Sequence, residues 1–175
     1  MLDRLLQKAE DVDLSGDDIK TITEGKCNIV VYHNLANYSS IDDVLGENGA
    51  AVLLYETKQN FGHWVCLFKI DDNTLEFFDS YGFKMDTELK YATYDNTAYL
   101  SQLVQASNYR LIENTVKLQT WAEDVNTCGR WTAVRVKMRN VQQSDFIKMF
   151  KKNQHYTGDL WISALTYLTT FDKSS

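Results

Sequence analysis

Residues 63–82 read HWVCLFKIDDNTLEFFDSYG, two apolar, aromatic-rich runs on either side of Asp-Asp-Asn. Branched and aromatic residues favour strands, and Asp and Asn favour the turn, so the stretch predicts an antiparallel hairpin. Partner positions in such a hairpin sum to a near-constant value. With the turn centred on Asp71–Asn73, His63 falls opposite a position between 79 and 82. Asp79 lies in that window, so the imidazole and the carboxylate are expected across from each other, or on a diagonal, at the open end. A carboxylate there fixes the imidazole tautomer and stabilises its protonated form. Alternation along the strand puts His63, Val65 and Leu67 on one face and Trp64, Cys66 and Phe68 on the other. Cys66 therefore points away from His63 and reads as core. The same parity argues against a metal site at His63 and Cys66, and no second ligand pair follows.

The second feature is DVNTCGRW, residues 124–131, a polar loop that turns into an apolar helical stripe through Trp131, Val134 and Met138. A cysteine at a helix start presents its sulfur to the positive end of the helix dipole and to free N–H groups, which stabilise a thiolate. A nearby His63 would complete a thiolate–imidazolium pair. Gly129 has no side chain to obstruct a carbonyl approaching the sulfur. Taken alone, Cys128 is equally a small helix-start residue. Acyl transfer also needs donors for an oxyanion. The Cys128 N–H is one, and a side-chain amide from Gln119 or Asn126 is the natural second.

The rest of the chain fixes the setting. Its 175 residues are 44% hydrophobic and fit one domain, 1–175, with a real core. Strands are expected at 27–32, 50–56 and 109–119, and helices at 2–9, 97–107 and 128–139. DLSGDDI reads as a turn or helix cap. Two closing helices would be capped by Ser144 and Asp159, the second facing Trp161, Ala164, Leu165, Leu168 and Phe171 inward. Strands early and helices late imply α+β, not alternating βαβ units. The net charge of −6 excludes long-range attraction to nucleic acid or an anionic membrane. The one dense basic run, Lys148, Lys151 and Lys152, reads as a solvated helix face. No apolar run has the length of a membrane span, and the first ten residues lack a secretory pattern. Three cysteines, an odd number with no CxxC, suit a reducing compartment. The absence of proline, with abundant Asn, Tyr, Lys and Ile, points to an AT-rich genome. His33 at a strand end and His155 in a polar loop carry no assigned role.

The order His63, Asp79, Gln119, Cys128, carried by GHWVCLF, LEFFDSYGF and LQTWAEDVNTCGRW, resembles the adenain/Ulp-type cysteine proteases, the clan of the adenovirus maturation protease and the SUMO-specific proteases. The resemblance spans residues 50–135. FFDSYGF and TCGRW look closest to the viral branch, which includes enzymes of adenoviruses, large DNA viruses, virophages and Polinton-like elements. It implies a mainly antiparallel mixed sheet flanked by helices. It also implies His63 as general base, Asp79 as its orienting group, Cys128 as nucleophile and Gln119 as oxyanion donor. Trp64 would wall a narrow cleft that admits small residues such as glycine before the scissile bond. The implied substrate is a capsid or other virion precursor, processed in the host cytoplasm at the viral factory or in the virion. No cofactor or metal is implied. Gln119 precedes Cys128 by a longer gap than in better-known members, so the loop between must bulge. The peptide and DNA activators of the adenovirus enzyme do not carry over: Cys27 matches no cofactor-linking cysteine, and the charge does not favour DNA. The same residues leave room for a deubiquitinase or SUMO-type isopeptidase, an acyltransferase, or a non-catalytic capsid-binding module.

Overall fold

A computed structural model describes residues 1–92, 95–151 and 156–169. His155, Lys152 and Phe171 lie outside the described residues.

The centre is a five-stranded sheet in the order β1-β2-β3-β4-β5. Its strands are β1 (Asn28–Val31), β2 (Ala50–Lys58), β3 (Phe61–Asp71), β4 (Thr74–Phe78) and β5 (Arg110–Glu113). The β2–β3 and β3–β4 pairs are antiparallel and carry the longer ladders, while β1–β2 and β4–β5 are parallel. The expected hairpin is β3–β4, closed by Asp71 pairing with Thr74 across Asp72 and Asn73. Asp71 accepts the Asn73 N–H at 2.8 Å, an aspartate turn of the kind its sequence signals.

The sheet is buried on both faces, and alternation sorts its side chains into two cores. Ala50, Val52, Leu54, Trp64, Cys66, Phe68 and Phe78 face one; Ala51, Leu53, Tyr55, Val65, Leu67, Leu75 and Phe77 face the other. The first core is covered by α2 (Gly16–Ile22), α5 (Cys128–Lys137), α6 (Gln143–Lys151) and α7 (Gly158–Thr166). The second is covered by α3 (Ile41–Leu45) and α4 (Tyr99–Gln105), with a 3-10 turn at Tyr32–Asn37. α1 (Leu2–Glu10) buries Leu6 and Ala9. DLSGDDI proves to be a capping box: Ser15 accepts from the Asp18 N–H, and the Asp18 carboxylate accepts from the Ser15 N–H. This is the α+β mixed sheet with flanking helices that the sequence predicts. No helix among the described residues is long and apolar enough to cross a membrane.

Four expectations change. TVKLQ is not strand, because β5 stops at Glu113 and the following backbone turns to hold the loop after β4. α6 begins at Gln143, so Ser144 lies inside its first turn. α7 is capped by Thr157, whose hydroxyl accepts the Leu160 N–H, not by Asp159. The inward face of α7 is Asp159, Ile162, Ser163 and Thr166, and Ala164, Leu165 and Leu168 face outward. Apolar count misjudged this helix because its inner face satisfies polar groups: Arg130, fully buried on α5, donates to the Thr166 hydroxyl at 2.7 Å.

Candidate active site

The ladder from Cys66↔Phe78 to Lys69↔Leu75 keeps a constant register. Extended to the open end, it sets His63 against Tyr81, with Asp79 on the diagonal. His63 Nε2 lies 2.9 Å from Asp79 Oδ1, and both residues are buried. On its other side β3 lies close on β2 at Gly62, where a Cβ would stand 1.9 Å from the Tyr55 carbonyl oxygen. The turn after β4 holds the carboxylate. Gly82, at φ +75°, donates its N–H to the Asp79 carbonyl at 2.9 Å. The Tyr81 N–H donates to Asp79 Oδ1 at 2.8 Å. The buried Asn114 side chain clamps the Asp79 backbone, accepting its N–H at 3.0 Å and donating to its carbonyl at 2.8 Å. The Leu118 and Gln119 N–H groups both donate to the Ser80 carbonyl. Asn114, Leu118 and Gln119 thus spend polar groups on this turn, which draws the segment away from the sheet.

Cys128 is the first residue of α5, close enough to the His63 imidazole to add to the influences on its charge. Nε2 serves Asp79, so Nδ1 is the ring nitrogen that this bond leaves available. Burial by itself lowers the His63 pKa; the Asp79 charge and hydrogen bond, with Cys128, outweigh it and hold the imidazole well above the ordinary 6.5. The folded value exceeds the unfolded one, so the pair's stabilisation is fully present below about pH 6.5 and is lost as pH rises through the folded value. Asp79→Asn removes the countercharge and leaves the burial. Histidine NMR is then expected to show the His63 pKa lowered relative to the wild type. A value unchanged from the wild type would mean Asp79 is not the source.

The loop into α5 is anchored from behind. Asp159, 1% exposed, accepts from the Thr120 N–H, the Thr127 hydroxyl and the Trp131 indole N–H at 2.9, 2.6 and 2.9 Å. Between these anchors the chain bulges through a turn in which the Val125 N–H donates to the Ala122 carbonyl. Gln119 lies 2% exposed beside the turn after β4. Its Oε1 accepts from the Ser80 hydroxyl at 2.7 Å, and its Nε2 donates to the Tyr81 hydroxyl at 3.1 Å and the Val125 carbonyl at 3.2 Å. Asn126 turns the other way: its amide donates to the Asp11 carbonyl at 3.1 Å. Gln119 is thus the amide on the His63 side, with its Nε2 donors engaged by the Tyr81 hydroxyl and the Val125 carbonyl.

Trp64 and Gly129 have a packing reason for their identities. The Trp64 indole is 7% exposed and donates to the Leu14 carbonyl at 3.0 Å. A Cβ on Gly129 would stand 3.0 Å from Leu14 Cβ and 3.2 Å from Trp64 Cδ1, so the missing side chain lets α5 sit close on β3. Cys66 is fully buried in the α5-side core, away from His63, and Cys27 is 7% exposed with its thiol 3.4 Å from the Thr23 hydroxyl. His33 follows β1 with its ring half exposed.

Two groups went unassigned in the sequence. The Tyr81 ring stacks on the His63 imidazole at 4.8 Å and 20°. Its place directly after Asp79-Ser80 was the available signal. Glu88 is buried, and its carboxyl is pushed up by burial, pulled down by His63 and raised again by Asp79. With His63 and Asp79 it forms a set whose ligand atoms lie within 4.8 Å of one another, an arrangement among the described residues that could hold a cation. Nothing local in the sequence marks it. Chemically, a thiol, an imidazole and a carboxylate in contact order make a path for one proton to leave the sulfur.

No family model matches the chain. Over 150 residues it is 43% identical to Uncharacterized protein V9 of Sputnik virophage, an alignment covering 82% of this chain and 86% of the relative.

Proposed function

We propose that this chain, which belongs to the same family as protein V9 of Sputnik virophage, is a viral cysteine endopeptidase that cleaves capsid or other virion precursors as particles mature. The observation that carries the reading is the meeting of the buried His63–Asp79 pair with Cys128 at the first turn of α5.

His63 Nδ1 takes the thiol proton, and Cys128 Sγ attacks the scissile carbonyl carbon. The carbonyl oxygen becomes an oxyanion, received by the Cys128 N–H and by the Gln119 amide once it gives up the Tyr81 hydroxyl. Collapse breaks the C–N bond, and the imidazolium returns its proton to the leaving amine. Water, deprotonated by His63, then cleaves the thioester and frees the acid. Asp79 holds the ring through Nε2 and stabilises the imidazolium without taking its proton. Work on precursors belongs to the host-cell viral factory or the particle. No cofactor enters the scheme.

The test is incubation with a co-encoded capsid protein and mass spectrometry of the new termini. Discrete termini following small residues such as glycine are expected from the wild type and not from Cys128→Ala. Cleavage of ubiquitin-type fusions with the capsid protein untouched would move the reading to an isopeptidase. An acetyl-CoA-dependent product without proteolysis would move it to an acyltransferase. No product with any of these leaves a non-catalytic capsid-binding module.

A further inference from the structure

Two carboxylate oxygens beside His63 lack partners. Asp79 Oδ1 meets both His63 Nε2, at 2.9 Å, and the Tyr81 N–H, at 2.8 Å, while its Oδ2 has no hydrogen-bond partner. Glu88 Oε1, on the 3-10 turn Thr87–Tyr91, has none either. Both residues are more than nine-tenths buried, Asp79 being 0% exposed and Glu88 7%. Two carboxylates carry more negative charge than one imidazolium offsets, and burial makes the remainder costly. Lys90, whose charge reaches Glu88, is turned onto the rings of Tyr91 and Phe83, 4.9 and 5.6 Å from their centroids. Glu88 is nonetheless held in place. Two residues earlier, Asp86 at φ +65° accepts from the Tyr32 and Tyr55 hydroxyls, at 2.6 and 2.9 Å, and from the Ser101 N–H at 2.9 Å. Tyr55 is the β2 partner of His63, so this clamp ties the Glu88 turn to the strand pair that carries the imidazole. Supports of that kind are what orient a set of metal ligands.

The donors are one imidazole nitrogen and two carboxylate oxygens, all within 4.8 Å of one another. Tetrahedral zinc, with bonds of about 2.0–2.2 Å, sets its ligand atoms about 3.4 Å apart, so side-chain rotations of the order of 1 Å close the set. A mixture of nitrogen and oxygen donors suits zinc, whereas calcium and magnesium take all-oxygen shells of six or more, which three buried side chains do not supply. We propose that His63, Asp79 and Glu88 form a binding site for a divalent cation of the zinc class, and that filling it stops cleavage by occupying His63 Nε2; the second half rests on the endopeptidase reading above. With Nε2 on the cation, the neutral ring carries its one proton on Nδ1. That nitrogen then has no lone pair to receive the thiol proton. Cys128 is not a ligand, so the cation acts on the base and not on the nucleophile.

Calorimetric titration of zinc chloride into the full chain, after treatment with a chelator, tests the site. One equivalent should bind the wild type and Cys128→Ala alike, and Glu88→Gln should bind at least about tenfold more weakly. Zinc should raise the melting temperature of the first two more than that of Glu88→Gln. Melts without zinc check that Glu88→Gln is folded. In the unmutated protein, nitrogen NMR of the histidine rings reads the ligand directly: zinc should shift His63 Nε2 and leave Nδ1 protonated. No binding by the wild type, an unshifted His63 ring, or a folded Glu88→Gln that binds as the wild type does overturns the site. Binding that Cys128→Ala abolishes would give the cation to the thiol and overturn it too. Zinc should also block wild-type cleavage of capsid protein, reversibly with chelator. Cleavage that continues in the zinc-bound protein overturns the block and leaves the endopeptidase reading standing. A wild type that binds zinc as expected but cuts no capsid protein before zinc is added upholds the site and overturns the block together with that reading.

Discussion

Cys128→Ala is expected to reduce cleavage of a capsid precursor by at least about a thousandfold while leaving the thermal melt close to that of the wild type. The first half follows from covalent catalysis: without the sulfur there is no thioester, and only binding and oxyanion stabilisation remain. The second half follows from size. The thiol is small and 5% exposed, and the anchors of its loop run through Asp159, Thr127 and Trp131 and not through the sulfur. The contrast separates a nucleophile from a packing residue. A variant that loses activity only because it unfolds, or one that keeps cleaving, contradicts the assignment.

Glu76→Ala is expected to destabilise the fold by about 3–5 kcal/mol, which for a chain this size lowers the melting temperature by roughly 10 °C. Glu76 on β4 and Arg135 on α5 are each 1% exposed in the side chain and meet through two bonds, at 2.7 and 3.0 Å. Arg135 also donates to the Met138 and Val141 carbonyls and lies over the rings of Phe68 and Phe146. Removing the carboxylate leaves the guanidinium buried with its main countercharge gone, and desolvation makes that costly. The pair matters to the site because it joins the two elements that carry the chemistry: Asp79 follows β4, and Cys128 begins α5. The double variant Glu76→Leu/Arg135→Met, which removes both charges, should recover much of the loss. A Glu76→Ala melt within 2–3 °C of wild type, less than about 1 kcal/mol, would show that the bridge is replaceable.

Much of this arrangement is legible in the sequence because it rests on local rules. The hairpin register brings His63 to Asp79 from strand period and turn chemistry alone, and parity separates Cys66 from His63. Cys128 opens a helix where a polar loop meets an apolar stripe. What is not legible depends on long-range partners. Residues 114–119 have the composition of a strand, but Asn114 and Gln119 are drawn to the turn at Asp79–Gly82. Asp159 reads as a cap but turns inward to bind Thr120, Thr127 and Trp131, segments more than thirty positions or nearly so away in sequence. Gly129 invites a functional explanation, yet Leu14 and Trp64 supply a steric one. Tyr81 sits inside the motif, but its double engagement with His63 and Gln119 needs the loop before α5 folded back. Glu88 and the Glu76–Arg135 pair carry no local signature at all.

The central claim is that His63 activates Cys128 and no other thiol. Burial pushes the Cys27 thiol up and the Cys66 thiol further up, yet Cys27 and Cys128 are almost equally covered, at 7% and 5% exposure. Access alone therefore cannot separate those two. Iodoacetamide at neutral pH, with the modified peptides quantified by mass spectrometry over time, reads the chemistry directly. Cys128 should be alkylated well ahead of Cys27 and Cys66, and His63→Ala should erase that lead. Equal labelling of the three thiols, or a lead that survives His63→Ala, would contradict the account.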